Sequence, residues 1–395
     1  MKRIILPLFF SLILFYVFPE KFSFKHKTGN KQRIEAKIEG KQLKNNQLIL
    51  NYDQQYKTIR KILNIKSDFA EIEDNNYFYN LNKLITNKVL ELKDESRVNY
   101  QKDIFGRMKV DQKNSFPTFR SVPVFPDKDI KAGDQWSYPA VEVQDLFSDG
   151  TISVLPINVV YTFLGYEEAE GRLLAKFKYE HKLDITNSRN YKIDERIVRV
   201  VGKSETIMYF DNEKGSRVKE EYSRDYAFLL YSQDVYEFID NGERYWYDIE
   251  TMDKEKTVND IQKELEKEDI KDAEIKKDDK GIKLSIENLH FVADSTELLP
   301  EESVRLEKIA KLLQKYKNRG VLIIGHTTDK GTEKGRIKLS IERAKVITDY
   351  LAEQSAINLE KSSFGGKGGT EPIADNNTEE GMKKNRRVEI YILED

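Results

Sequence analysis

The hydrophobic pattern of this chain changes period near residue 250, and that change limits what its two parts can become. From about residue 33 to 246, apolar side chains recur at every second position: Ile34, Ala36 and Ile38; Val159, Tyr161 and Phe163; Ala175, Phe177 and Tyr179. Period two is the mark of a strand with one buried face. Turn residues punctuate it at Gly133-Asp134, at Asp149-Gly150, from Asp211 to Gly215, and at Asn241-Gly242. Asn-Gly between residues 235–240 and 243–247 is the pattern of a two-residue hairpin turn. Residues 51–87 have mixed periodicity and accommodate a helix. Residues 116–127, with Pro117, Pro123 and Pro126, read as an extended connection. The region is expected to form an antiparallel sheet, sandwich or barrel.

Beyond Tyr247 the texture differs. Residues 251–256 are charged and read as a linker, and Thr257 with Asp260 approximates an N-cap arrangement. Val258, Ile261 and Leu265 make one apolar stripe, and residues 273–276 and 281–286 read as two strands around Asp278-Asp279-Lys280-Gly281. Leu306, Ile309, Ala310, Leu313 and Tyr316 have helical spacing. Residues 321–324 read as a buried strand, and Leu339-Ser340 as the opening of a helix carrying Ile341, Ala344, Ile347 and Leu351. Val388, Ile390 and Ile392 alternate as a last strand. The expected fold class is α+β overall: an antiparallel β-rich domain, then an α/β sandwich of βαβαβ order with helices packed on a sheet. The expected divisions are residues 1–19 as a signal peptide or N-terminal anchor, 20–250 as the β-rich domain, 251–281 as a linker with a short helix and strand, and 282–395 as the α/β domain.

Lys2 and Arg3 precede residues 4–18, which are apolar but for Pro7, Ser11 and Tyr16. An apolar run of this kind behind a positive start is the pattern of a secretory signal peptide. A permanent span needs ~20 apolar residues. Export is therefore expected. No small-x-small site follows Phe18, so an uncleaved anchor stays open beside a cleaved peptide. Cysteine is absent, which excludes disulfides, thiolate-bound metal sites, a thiol nucleophile and a lipidated cysteine. The formal net charge of −2, from 66 Lys+Arg against 68 Asp+Glu, gives no argument for a nucleic-acid partner. His26, His181, His290 and His326 lie far apart, without metal-ligand spacing. Gly365-Gly366-Lys367-Gly368-Gly369 lacks the ending of a phosphate loop and reads as a turn. Ser216 and Lys219 match the serine–lysine pair of penicillin-binding proteins without that motif's other parts. No catalytic constellation emerges, so no enzyme activity, cofactor or metal is expected.

One ordered set of motifs remains. Gly325-His326-Thr327 follows the strand at 321–324, then come Gly331, Leu339-Ser340 and Arg343-Ala344. Phe364-Gly365-Gly366, the run from Pro372 to Asn376, and Asn385-Arg386-Arg387-Val388 complete it. This order and spacing resembles the peptidoglycan-binding domain of the OmpA family, over roughly residues 282–393. The resemblance implies a site for the diaminopimelate, or an equivalent residue, of the peptidoglycan stem peptide, which offers an ammonium and carboxylates. A glycine at the strand end permits a close backbone turn, exposed N–H groups there can hold a carboxylate, and an arginine can clamp one bidentately. Arg343 matches the family's arginine. The family's aspartate, fifteen residues earlier, is Thr328 here, with Asp329 one place later. The family's asparagine three residues before Leu-Ser is Arg336. A threonine hydrogen-bonds an ammonium without supplying charge, so either Asp329 substitutes through a rearranged loop or affinity for the usual stem peptide falls. The implied binding set is Gly325, His326, Thr327, Thr328, Asp329, Arg336, Leu339, Ser340, Arg343, Asn385 and Arg387. Beside it stand plainer readings: Arg343 as a solvated helix residue, His326 as a turn-packing group, and Asn385 with Arg387 as structural.

In the β-rich part, Ala132-Gly133-Asp134-Gln135-Trp136 reads as a turn leading to a core tryptophan, and the Tyr/Phe density of residues 222–247 as sheet packing. Two functions compete. One is a non-enzymatic envelope protein that binds peptidoglycan and links it to the outer membrane or a periplasmic partner. The other is a periplasmic lipid- or partner-binding carrier or assembly factor in which the OmpA-like domain is only a scaffold. A wall hydrolase lacks a candidate site. The expected location is the periplasm, in association with the outer membrane.

Overall fold

The computed structural model describes residues 19–80, 90–287, 289, 291 and 298–394. The apolar run at residues 4–18 and His290 lie outside them. The chain runs β1 (Lys31–Lys44), β2 (Gln47–Lys66), β3 (Phe69–Asn80), β4 (Leu90–Asp103), the short β5 (Met108–Lys109) and β6 (Phe119–Arg120). Longer strands follow: β7 (Gln135–Gln144), β8 (Ser153–Ala169), β9 (Arg172–Thr186), β10 (Ile197–Asp211), β11 (Ser216–Leu230) and β12 (Val235–Asp248). Then come α1 (Lys254–Lys267), β13 (Ala273–Lys277), β14 (Gly281–Glu287), α2 (Pro300–Leu313) and β15 (Val321–His326). The last elements are α3 (Glu333–Glu353), β16 (Ser363–Gly368), α4 (Glu379–Asn385) and β17 (Arg387–Leu393). No helix among the described residues is long and apolar enough to cross a membrane. Compactness divides the chain into two units. The first holds residues 102–235 with the described residues up to 26, and the second holds residues 27–101 and 236–394.

In the first unit, β7 to β11 form an antiparallel meander, each strand pairing with the next. Strict alternation buries Leu155, Ile157, Val159, Tyr161 and Phe163 of β8. Aromatic rings fill the core: Phe22 meets Phe177 edge-on at 5.0 Å, and Phe125 meets Phe210 at 4.9 Å. Trp136 stacks on Tyr161 at 5.3 Å and donates its indole N–H to the Val124 carbonyl at 2.7 Å. That is the role of a packing tryptophan.

The second unit contains two sets of strands, and β4 pairs in parallel with β16 of the second set. One is antiparallel, β12–β1–β2–β3. The other is mixed, in the order β13–β14–β17–β15–β16, with β15 and β16 parallel. Period two then decides the packing. Val321 and Ile323 of β15, with Val388, Ile390 and Ile392 of β17, face Leu306, Ile309, Ala344, Ile347 and Leu351 of the helices. The alternate residues, Leu322, Ile324, Tyr391 and Leu393, pack with Tyr77, Tyr79 and Leu92 of β3 and β4. The sheet is therefore covered on both faces.

Several expectations change. Asn241-Gly242 is no turn: β12 runs straight through it, opposite Glu39 and Ile38 of β1. The pairing with β1 spans the whole strand and outweighs the local turn preference. Two-residue hairpin turns lie instead at Asn45-Asn46, where φ is 51° and 64°, at Ser67-Asp68 and at Glu170-Gly171. Residues 51–80 are strand, not helix, because β2 and β3 pair with each other. The helix at residue 254 is capped by Asp253, whose carboxylate accepts from the Lys256 N–H at 3.0 Å, rather than by Thr257. Its Ile261 and Leu265 join the core of the mixed sheet. Helix α3 starts at Glu333, six residues before Leu339, behind a Thr332 cap. The glycine run at 365–369 is not a turn but enters strand β16.

That last change has a steric cause. A Cβ on Gly366 would lie 2.2 Å from Ser340 Oγ, and one on Gly325 would lie 2.2 Å from the Ser340 carbonyl oxygen. Bare backbone in β15 and β16 lets α3 sit directly on the sheet. The variant Gly325→Ala should therefore lose about 1–3 kcal/mol, the usual cost of overpacking. Chemical denaturation measures this, and an unchanged midpoint would refute the close approach.

Candidate functional site

Strand β15 ends at Gly325-His326 and the chain turns through residues 327–332 into α3. Hydrogen bonds define the turn. The Thr327 N–H donates to the Gly368 carbonyl at 2.8 Å, and its hydroxyl donates to the Thr328 carbonyl at 3.0 Å. Thr328 Oγ1 accepts from the Lys330 N–H at 3.4 Å. Both threonines are buried. Gly331 takes φ +85°, in the left-handed region that glycine enters without strain. Arg336 Nη1 donates to the carbonyls of Asp329 and Gly331, at 2.9 and 2.6 Å. Arg336 thus braces the loop backbone. Asp329 is exposed, and no hydrogen bond or ion pair engages its carboxylate among the described residues.

Arg343 lies two helical turns beyond Arg336, hence on the same face of α3. It is half-buried, with its guanidinium 4.6 Å from the centre of the Phe291 ring. A guanidinium over an aromatic face is held flat while its edge N–H groups remain directional. Leu339 is half-buried between the two arginines in sequence. Ser340 is fully buried and its hydroxyl is committed: it donates to the Ile337 carbonyl at 2.8 Å and accepts from the Gly368 N–H at 2.9 Å.

The remaining residues of the implied set form the support. Asn385 is buried at the end of α4; its Oδ1 accepts from the N–H groups of Ile373 and Ala374 at 2.7 and 3.0 Å. Its Nδ2 donates to the Ala374 carbonyl and to Asn376 Oδ1, both at 2.8 Å. It pins the 373–376 loop. Arg387, Glu389 and Tyr391 alternate onto one face of β17. Arg387 Nε donates to Glu389 Oε1 at 2.9 Å and Tyr391 donates to Oε2 at 2.5 Å. The buried His326 ring has Nε2 3.4 Å from the same Oε2. Burial pushes the Glu389 carboxyl upward, but His326, Tyr391 and Arg387 outweigh it and hold it well below the usual carboxylate range. Asn385 and Arg387 are therefore bonded to their neighbours, and the His326 ring lies beside Glu389.

Pattern reading missed three features. Phe291, the platform for Arg343, lies in an irregular stretch with no periodicity to mark it. Glu389 did carry a signal, as a charge inside an otherwise apolar strand. In the first unit, Glu142, His181 and Tyr226 form a buried network: Tyr226 donates to Glu142 Oε2 at 2.6 Å, and His181 Nε2 lies 2.7 Å from the tyrosine oxygen. Three separate strands supply it, so no spacing could reveal it. The second unit also holds a cavity of about 370 Å³. Its charges pair with one another, Lys31 with Glu394 at 2.6 Å, Lys280 with Glu95 at 3.0 Å and Arg97 with Asp279 at 2.7 Å. No metal-binding group of His, Cys, Asp or Glu occurs among the described residues.

The family model named "OmpA family" matches residues 290–386, the stretch that carries the loop, Arg343 and Asn385. Residues 290–386 are an OmpA family domain. Peptidoglycan-binding protein ArfA of Mycobacterium tuberculosis is 37% identical over 102 residues, which is 26% of this chain and 31% of ArfA. Outer membrane protein A of Bordetella avium is 36% identical over 103 residues, 26% of this chain and 53% of that protein. A solved structure of an outer membrane protein from Borrelia burgdorferi B31 has 36% sequence identity and a TM-score of 0.26, over 31% of this chain and 96% of that one. The chain thus spans about a third of ArfA and about half of the Bordetella protein.

The pH dependence of stability follows from Glu389. Its folded value is depressed, so its contribution is complete above the ordinary value near 4.5 and is lost as the pH falls below that. Thermal melts from neutral pH down to the acid limit should show stability dropping below about pH 4.5. The variant Glu389→Gln should start lower and show a flatter acid limb; an unchanged limb would refute the assignment.

Proposed function

We propose that this chain is a non-enzymatic protein of the cell envelope that grips peptidoglycan through its OmpA-like domain. One observation carries the reading: the family match covers the 325–331 loop and Arg343, and ArfA, which shares 37% identity with this region, is a peptidoglycan-binding protein. In this reading residues 282–395 bind the wall, residues 251–281 connect, and residues 20–250 link the wall to the outer membrane or to a periplasmic partner. Export through the N-terminal apolar run belongs to the same proposal.

The ligand is a stem-peptide residue carrying both an ammonium and a carboxylate. Arg343, with its guanidinium over the Phe291 ring, is the cation that meets the carboxylate. The N–H groups of the turn after Gly325 add to that anion site. Asp329, exposed and with its carboxylate unengaged among the described residues, pairs with the ammonium in place of the usual acid. Thr328 is occupied by the loop's own backbone, which makes Asp329 the better candidate.

Pull-down on purified sacculi tests this. The full chain should be retained. Arg343→Ala should weaken binding ~10-fold or more, the cost of a charge-assisted bond of ~1.5–3 kcal/mol. Asp329→Ala should weaken it more than Thr328→Ala. A folded chain that is not retained would overturn wall binding, whereas an Arg343→Ala chain that binds like wild type would overturn only the site.

A further inference from the structure

The second unit encloses a cavity of about 370 Å³, at the low end of the ~300–1,000 Å³ of small-molecule sites. Leu322 of β15 and Leu393 of β17 give it an apolar patch, with Ile59 of β2 and Tyr79 of β3. These leucines alternate with Ile323 and Ile392, which pack with the helices. Neither the 325–331 loop nor Arg343 lines it, so it is separate from the wall-binding site.

Charge argues against an ionic occupant. Six basic residues line the cavity against five acidic ones, and every acid is engaged. Glu394 pairs with Lys31 at 2.6 Å and Lys254 at 3.2 Å, and Glu95 pairs with Lys280 at 3.0 Å. Asp279 pairs with Arg97 at 2.7 Å, Glu73 accepts from Asn75 Nδ2 at 3.3 Å, and the Asp278 carboxylate accepts from the Lys280 N–H at 2.9 Å. Burial pushes the Glu95 and Glu394 carboxyls up, but their lysines outweigh it and hold both below the ordinary range, so these pairs stay ionised. A charged ligand would meet a like charge beside each partner, and a hydrocarbon would leave the polar lining desolvated without compensation.

Hydroxyls and spare lone pairs are what the lining leaves open. The Tyr77 hydroxyl has no hydrogen-bond partner among the described residues. Burial, with Tyr79, Glu95 and Asp278 nearby, pushes its pKa up, so it remains a donor. The Ser96 hydroxyl accepts from Asn76 Nδ2 at 3.3 Å, and its own proton has no acceptor among the described residues. Paired carboxylates keep lone pairs and paired ammoniums keep N–H groups. Donors and acceptors thus stand side by side around an apolar patch. A sugar matches this: each hydroxyl both donates and accepts, the ring carries no charge, and its C–H face suits Ile59, Leu322 and Leu393. We propose that this cavity binds a short neutral saccharide through the Tyr77 and Ser96 hydroxyls and the ion pairs of Glu95 and Glu394. Wall glycan and other polysaccharides share that chemistry.

Saturation-transfer NMR on the full chain tests this with diacetylchitobiose, whose acetamido sugars represent wall glycan, and with cellobiose and maltose. At least one of the three should bind. Binding of the acetamido disaccharide alone assigns the cavity to wall-type glycan, and binding of a hexose disaccharide alone assigns it to another polysaccharide. Tyr77→Phe and Ser96→Ala should each raise the Kd ~3–10-fold, the cost of one neutral hydrogen bond. Tyr77→Phe should melt like wild type, because its hydroxyl has no partner to lose. Three results would overturn the proposal. One is that none of the three sugars binds; another is that both variants bind as wild type does. The third is that dodecanoate or spermidine binds more tightly than every sugar and loses affinity on Tyr77→Phe, which would make the occupant a lipid or a polycation. These probes contain no stem peptide, so failure here leaves wall binding through Arg343 standing.

Discussion

Strands β15 and β17 are buried on both faces, and the second unit is built around that fact. One set of side chains meets the helices and the other meets Tyr77 and Tyr79 of β3 and Leu92 of β4. Each aliphatic side chain so enclosed contributes about 1.5–3 kcal/mol, before the entropy of ordering is charged against it. Double burial also dictates how polar residues behave there. A carboxylate in such a strand has to be satisfied, and Arg387, Tyr391 and His326 surround Glu389 for that reason. The same sheet requires α3 to come close, and Gly325 and Gly366 allow it by presenting no side chain to Ser340.

The loop after β15 inherits its rigidity from this contact. Ser340 ties α3 to β16 through the Gly368 N–H, and the Gly368 carbonyl in turn receives Thr327. The turn is anchored at its base by packing and braced along its length by Arg336. Only then do Asp329 and Arg343 stand at defined places. The Thr328 hydroxyl and the Arg336 guanidinium both bond to the loop's own backbone groups.

The antiparallel sheet of the second unit serves two ends of the molecule differently. Near the mixed sheet, its tyrosines and Leu92 of β4 are core. Toward the Asn45-Asn46 turn, β12 still pairs with β1 as far as Lys44, while Leu48, Ile49 and Leu50 of β2 are exposed. Just below the Asn45-Asn46 turn the register of β1 against β2 shifts between Gln42 and Leu43, leaving Ile49 as the extra residue of a bulge.

Sequence alone determined the β-rich character of the first part, the helix–strand alternation of the last hundred residues, and the motif order around Gly325 and Arg343. These are local: period, spacing and turn chemistry act within a few residues. Tertiary structure decided what local preference could not. Asn241-Gly242 became strand because β1 lay alongside it, and Gly365-Gly366 became strand because α3 needed bare backbone beneath Ser340. Phe291 under Arg343, and Tyr226 and His181 against Glu142, come from segments distant in the chain. A pairing of that kind leaves no periodic trace, since it depends on which surfaces meet after each segment has formed.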